Sequence, residues 1–70
     1  MDVTINGEKK SLTENSTVLQ LLEEMNLNPE VTIVEKNGTI IKRDKYAVET
    51  VEPDDAFELI RFMGGGSHVF

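Results

Sequence analysis

Two Asn-Gly dipeptides, at residues 6–7 and 37–38, each join two short segments in which apolar and polar residues tend to alternate. Asn-Gly favours the positive φ angles that a two-residue turn between antiparallel strands requires. The first pair of segments covers residues 2–5 and 8–12, and the second covers residues 31–36 and 39–41. The sequence therefore predicts two β-hairpins. The polar return strand of the first, which contains Lys9 and Lys10, suits the edge of a sheet.

One amphipathic helix is predicted between the two hairpins. Four apolar residues recur there at the spacing of a single helical face, namely Val18, Leu21, Leu22 and Met25. Thr17 and Gln20 have the spacing of a capping box at the start of this helix, while Asn26 and Pro29 end it. Because the seventy-residue chain contains no cysteine, it has no disulfide to compensate for a small core, so this apolar face has to pack against the sheet.

A last strand is predicted over residues 56–63. Phe57 and Leu59 point toward the core, whereas Ile60 and Phe62 alternate onto the opposite face, and Arg61 lies at the rim. Apolar residues on both faces are typical of a central strand or of a strand whose outer face binds a partner.

The region before the last strand carries weaker signals. It predicts a loop or short turn over residues 42–46, a brief strand within residues 47–51 and a turn at residues 53–55. The order strand, strand, helix, strand, strand, strand predicts a mixed sheet of four to five strands, with the helix across one face and the first and last strands parallel at its centre. This α+β architecture is the β-grasp, or ubiquitin-like, fold.

Charge and composition exclude several classes of function. Thirteen acidic against seven basic residues give a net charge of −6, which disfavours binding to nucleic acid. No apolar run approaches the roughly 20 residues of a membrane span, and no signal peptide is recognisable, so we expect a soluble, cytoplasmic protein without a membrane partner.

His68 has no companions that would complete a metal site. No catalytic triad, phosphate loop or carboxylate pair is recognisable either, so we expect neither a cofactor nor independent catalysis.

Four stretches of the sequence together resemble a known family: INGE, TVLQLLEEMNLNP, EKNGTIIKRDKYA and PDDAFELIRFMGGG. They are similar to the small sulfur-carrier proteins, which include the thiamine-biosynthesis carrier ThiS and the small subunit of molybdopterin synthase, and the thiamine branch fits best. The resemblance covers residues 1–66. Asp54 stands where the family usually has a glycine, and aspartate tolerates left-handed backbone geometry better than most residues. Residues 67–70 continue beyond the glycine at which family members usually stop.

The resemblance implies that Gly66 carries the chemistry. In this family an E1-like, ATP-dependent enzyme adenylates the carboxylate of the terminal glycine, and sulfur then replaces the adenylate to give a thiocarboxylate. By this analogy Gly66 is the acyl carrier after removal of residues 67–70, and Gly64 and Gly65 thread into the partner. Residues 1–63 then form the folded domain and residues 64–70 a flexible tail.

The partner surface implied by the resemblance lies beside this tail and comprises Ile60, Arg61 and Phe62. The implied partners are the activating enzyme, a sulfur donor such as a cysteine desulfurase, a sulfur-accepting synthase and a protease that trims the tail. The sulfur would go to thiamine thiazole, to molybdopterin or to tRNA. Two other functions remain open: a ubiquitin-like modifier that is conjugated to lysines, and a β-grasp module that binds its partners non-covalently.

Overall fold

The computed structural model of this chain describes residues 1–12 and 16–61. Five strands and one α-helix are present in this part of the chain: β1 (Asp2–Ile5), β2 (Glu8–Ser11), α1 (Val18–Glu24), β3 (Thr32–Lys36), β4 (Thr39–Ile41) and β5 (Ala56–Arg61). Two 3₁₀ turns, Pro29–Val31 and Arg43–Lys45, lie between them.

The strands form one mixed sheet in the order β2-β1-β5-β3-β4. β1 and β5 are parallel, while the other three pairings are antiparallel. The parallel pair is joined through a crossover that contains α1, as a connection between parallel strands in one sheet requires. The predicted five-strand order and the central position of the last strand are therefore confirmed.

The helix begins with the predicted capping box. The Gln20 backbone N–H donates to the Thr17 hydroxyl oxygen at 3.2 Å, and the Thr17 backbone N–H donates to Gln20 Oε1 at 2.8 Å. α1 ends at Glu24, and Asn26 then takes a positive φ of 59°, which directs the chain away from the helix. The helix boundaries thus follow from side-chain chemistry that is local in the sequence.

The core lies between α1 and one face of the sheet. Its buried residues are Val3, Ile5, Leu12, Val18, Leu21, Leu22, Val34, Tyr46, Val51, Phe57 and Leu59. Met25, the fourth residue of the predicted helical stripe, is half-buried and packs against this cluster. The Tyr46 hydroxyl donates a 2.7 Å hydrogen bond to the Thr32 carbonyl oxygen, so the one buried phenol of the core has a partner. Within residues 1–12 and 16–61, α1 covers one face of the sheet and no α-helix lies on the other.

The loop or short turn predicted over residues 42–46 is confirmed by the 3₁₀ turn Arg43–Lys45, but two other local predictions need correction. Residues 47–51 do not form a strand but contribute an isolated bridge between Thr17 and Thr50. β3 begins one residue later than predicted, because Pro29 begins a 3₁₀ turn that is capped by a hydrogen bond from the Glu30 N–H to the Asn28 side chain.

The turns adopt the backbone geometry that their residues favour. Asn6 and Asn37 both have φ of 51°, and the glycines that follow them have φ of 86° and 87°. Asp54 has φ of 70°, a conformation that an L-residue tolerates only at some cost and that glycine adopts freely. Asp54 thus adopts a left-handed backbone conformation at the position where the sulfur-carrier proteins that this sequence resembles usually have glycine.

In the part of the chain described above, no helix is long and apolar enough to cross a membrane. The same residues contain no group of three or more His, Cys, Asp or Glu side chains arranged to hold a metal ion.

Candidate functional site

The strand that leads toward the glycine run is the central strand of the sheet. β5 pairs in parallel with β1 at Ala56 and Phe57, and it pairs with β3 along its length, from Phe57 opposite Lys36 to Arg61 opposite Thr32. The start of β5 is therefore paired on both sides, whereas its end at Arg61 is held by β3 alone.

Each hairpin asparagine also hydrogen-bonds to β5 through its side chain. The Asn6 amide oxygen accepts from the Leu59 N–H at 2.8 Å, and its amide nitrogen donates to the Leu59 carbonyl oxygen at 3.4 Å. The Asn37 amide oxygen accepts from the Ala56 N–H at 2.8 Å, and its amide nitrogen donates to Asp55 Oδ1 at 2.9 Å. The two turns therefore hold β5 from both sides. The Asn-Gly pattern predicts these asparagines only as turn residues. The sequence signal for their second role is that both turns carry asparagine, whose amide can accept and donate, rather than aspartate.

A buried polar network holds the start of β5. Asp55 is only 7% exposed, and its Oδ2 accepts from the Glu52 N–H at 2.8 Å. Lys36 Nζ donates to Glu49 Oε2 at 2.9 Å and to the Thr50 carbonyl oxygen at 2.7 Å, and it lies 3.6 Å from Asp55 Oδ2. This network connects β3 to the segment that precedes β5.

The lysine of this network remains charged at neutral pH. Burial alone lowers the pKa of the Lys36 ammonium group, but the hydrogen bond to Glu49 and the negative charges of Asp55 and Glu49 outweigh burial and leave the pKa above its ordinary value. Because Asp55 is paired with a cation and with two N–H donors, its buried carboxylate is compensated.

Replacing Asn37 with aspartate is expected to destabilise the domain by about 3 kcal/mol. The new carboxylate could still accept from the Ala56 N–H, but it could no longer donate to Asp55, so a second carboxylate would face the buried carboxylate of Asp55. Urea unfolding measures the loss, which should shrink at acidic pH, where the carboxylates can share a proton. Asn6→Asp is the matched control and should cost about 1 kcal/mol, because it loses only the longer bond to the Leu59 carbonyl. Equal losses in the two variants would contradict this account of Asn37.

The side of the sheet opposite α1 carries three isoleucines and two glutamates on β3, β4 and β5. We call this surface the outer face and define it by Ile33, Glu35, Ile40, Glu58 and Ile60. Ile60 lies opposite Ile33 and is 50% exposed, and Ile40 lies opposite Glu35 and is 63% exposed. Both are among the most exposed large apolar side chains of the described residues.

The structure places two of the six predicted site residues. Ile60 and Arg61 are both exposed on β5, so both are accessible to a partner, and Arg61 lines a cavity of about 110 Å³ together with Asn26, Leu27, Asn28, Val31 and Thr32. Phe62, Gly64, Gly65 and Gly66 lie outside the described residues. Their roles remain predictions.

Comparison with known proteins assigns the chain to a family. The model of the ThiS family matches residues 3–66, which is nearly the whole chain. This chain belongs to the ThiS family. The match ends at Gly66, the last residue of the glycine run.

Individual members and solved structures agree with this assignment. The chain is 32% identical over 63 residues to the sulfur carrier protein ThiS of Bacillus subtilis, an alignment that covers 89% of this chain and 96% of that protein. The crystal structure of the thiamine biosynthesis protein ThiS from Geobacter metallireducens superposes with a TM-score of 0.83 at 35% identity, covering 94% of this chain and 100% of that one. The predicted β-grasp fold and the similarity to the ThiS family are thus confirmed.

A longer protein also contains a region similar to this ThiS-family chain. The thiazole synthase of Magnetococcus marinus is 32% identical over 68 residues, which is 97% of this chain but only 21% of that protein. The chain therefore spans about a fifth of the length of this relative, and the activity of the whole thiazole synthase does not transfer with the match.

Proposed function

We propose that this chain is a sulfur carrier and that the carboxyl group of Gly66 is its acyl group. The observation that carries the proposal is the family match over residues 3–66, which ends at Gly66. The Bacillus subtilis relative, which is named a sulfur carrier protein, aligns over 96% of its own length. The similarity therefore extends over a whole carrier rather than over a fragment of an unrelated protein.

The chemistry proposed for Gly66 needs an activating enzyme. A carboxylate is a poor electrophile, so the enzyme transfers AMP from ATP to the Gly66 carboxylate and releases pyrophosphate. The outer sulfur of a cysteine persulfide, carried by a donor such as a cysteine desulfurase, then displaces AMP and forms an acyl disulfide. A thiol reduces this disulfide, which releases the thiocarboxylate and leaves the thiol joined to the donor cysteine in a new disulfide. The carrier contributes the reacting group and acts as a co-substrate rather than as a catalyst. Because this route consumes ATP, the proposal places it in the cytoplasm.

The proposed tail consists of residues 64–70, attached to a domain of residues 1–63. Gly64 and Gly65 would pass through a narrow channel of the enzyme, since glycine has no Cβ to obstruct it. Residues 62–66 can span at most about 17 Å beyond Arg61, whatever their conformation. The activating enzyme must therefore bind the domain close to the end of β5, where Ile60, Arg61 and Phe62 would contribute contacts.

Adenylation also requires that the peptide bond between Gly66 and Ser67 be cleaved. In the seventy-residue chain the Gly66 carbonyl belongs to an amide, which has no free carboxylate to react with ATP. We propose that a protease removes the residues after Gly66 before activation.

Thiamine thiazole is the proposed destination of the sulfur, and a thiazole synthase is the proposed acceptor. Two observations favour this route over molybdopterin and tRNA: similarity to a region of a thiazole synthase, and a structural neighbour named as a thiamine biosynthesis protein.

Intact-mass spectrometry of the protein purified from its native cells tests the proposal. We expect a species that ends at Gly66 and is heavier than the free carboxylate by the difference between one sulfur and one oxygen. Glycine remnants in isopeptide linkage to lysines of other proteins would instead identify a modifier. A Gly66–Ser67 bond that stays intact under all growth conditions would contradict the carrier proposal and favour a non-covalent binding module.

A further inference from the structure

The side of β5 that faces β1 loses its neighbouring strand before β5 ends. β1 pairs with β5 at Ala56 and Phe57, and the Asn6 N–H donates to the Phe57 carbonyl oxygen at 2.9 Å. If the strands continued in this register, Gly7 would lie opposite Leu59, but the chain turns away at Asn6 and Gly7, which both have positive φ. Leu59 therefore has no residue of β1 beside it to complete its backbone hydrogen bonds.

The side chain of Asn6 takes the place of the missing strand residue. Its Oδ1 accepts from the Leu59 N–H at 2.8 Å, and its amide nitrogen donates to the Leu59 carbonyl oxygen at 3.4 Å. A side-chain amide carries the same kinds of donor and acceptor as a peptide group, so Asn6 supplies the two hydrogen bonds that one more residue of β1 would supply. The support of β5 from both sides therefore extends to Leu59, and only Ile60 and Arg61 are paired with β3 alone.

Leu59 also lies close in sequence to the proposed reacting group. It is seven residues before Gly66, so at most about 24 Å of extended chain separates the two. Each residue of this segment that the free domain does not hold has to be ordered when the segment enters the enzyme, and that ordering weakens binding. A side chain that holds Leu59 reduces this cost.

We propose that Asn6 is a positioning residue for the activation of Gly66. This inference rests on the proposed function, because it assumes that an enzyme adenylates Gly66. In this role Asn6 contacts neither ATP nor the reacting carboxylate but acts through Leu59, by holding the end of β5 in the direction from which the chain enters the enzyme. The bound chain follows the same path with or without the Asn6 amide. Loss of the amide should therefore raise the KM for the carrier and leave kcat unchanged.

The experiment measures ATP–pyrophosphate exchange by the activating enzyme of the same organism with chains that end at Gly66. Asn6→Gly removes the amide and keeps the turn, because glycine adopts the positive φ of this position and Gly-Gly suits a two-residue hairpin turn. We expect its KM to rise about fivefold to thirtyfold, which corresponds to the ordering of one more backbone residue. Hydrogen exchange of the Leu59 amide should become faster in the free domain, because this N–H loses its acceptor.

Asn37→Gly is the matched control. It makes the same change in the other Asn-Gly turn, where the side chain accepts from the Ala56 N–H. Ala56 is also held by its pairing with β1, so this variant should unfold at lower urea concentration but keep the KM of the unmodified chain.

Asn6→Asp gives a graded version of the test. Its carboxylate still accepts from the Leu59 N–H, and only the longer bond to the Leu59 carbonyl oxygen is lost. Its KM should therefore lie between those of the unmodified chain and of Asn6→Gly. If urea unfolding shows that Asn6→Gly is unfolded under the assay conditions, Asn6→Asp decides the question: a raised KM supports the positioning role, and an unchanged KM overturns it.

Two further outcomes would overturn the inference and leave the proposed function intact. In the first, folded Asn6→Gly and the unmodified chain have the same KM, and both support exchange. In the second, Asn37→Gly raises KM as much as Asn6→Gly does, so that a general loss of stability explains both variants. If the unmodified chain that ends at Gly66 supports no exchange, the proposed function fails and the positioning role fails with it.

Discussion

A chain that ends at Gly66 is expected to support ATP–pyrophosphate exchange by its activating enzyme, whereas the seventy-residue chain should give only background exchange. The exchange reaction needs a free carboxylate that attacks the α-phosphorus of ATP. In the longer chain the Gly66 carbonyl is part of the amide bond to Ser67. The carboxylate of Phe70 is a poor substitute, because its benzyl side chain would not fit a channel that is shaped for glycine.

Two further variants locate the reacting residue. Gly66→Ala in the shortened chain adds one methyl group beside the carboxylate and should slow exchange on the order of 100-fold, as a small displacement of the reacting atoms does. A chain that ends at Gly65 should also be slow, because its carboxylate stops one residue short. All of these chains contain the same folded domain, so differences in exchange report on the terminus. Exchange by the seventy-residue chain as fast as by the shortened one would contradict the requirement for cleavage.

Much of the fold could be predicted because its signals are local. The two Asn-Gly turns set the hairpins, and the capping box of Thr17 and Gln20 sets the start of α1. The prediction of a brief strand within residues 47–51 was wrong, because the structure of this segment depends on contacts that are distant in sequence. The backbone there pairs with the start of the helix: the Val18 N–H donates to the Glu49 carbonyl oxygen, and the Val51 N–H donates to the Ser16 carbonyl oxygen. These contacts are distant in sequence, and no local pattern reveals them.

In the candidate site too, features that depend on local sequence could be predicted, whereas features that depend on the assembled sheet could not. Alternation along the last strand correctly predicted that Phe57 and Leu59 are buried in the core and that Ile60 lies on the opposite face of the sheet, where it is 50% exposed. The opposition of Glu35 and Glu58 could not be predicted, because it depends on the register between two strands that are not neighbours in the sequence. The hydrogen bonds from both hairpin asparagines to β5 likewise require the assembled sheet.

Replacement of Leu22 with alanine is expected to reduce the free energy of unfolding by about 2–5 kcal/mol. Leu22 is fully buried at the centre of α1. α1 has only seven residues, and a helix this short is not stable in water without tertiary packing. The substitution therefore leaves a cavity and also weakens the contact that holds the helix on the sheet. Since a small domain has about 5–15 kcal/mol of stability, the loss is a large fraction of the total.

Urea unfolding, followed by the far-ultraviolet circular dichroism of the helix, measures this change. Leu19→Ala is the matched control, because it makes the same substitution in the same helix at a half-buried position. It should cost about 1 kcal/mol, since less apolar surface returns to water. An unchanged denaturant slope would show that the variants differ in stability rather than in the extent of unfolding. A loss below about 1 kcal/mol for Leu22→Ala, or one no greater than that of the control, would mean that α1 packs on the sheet through a different face.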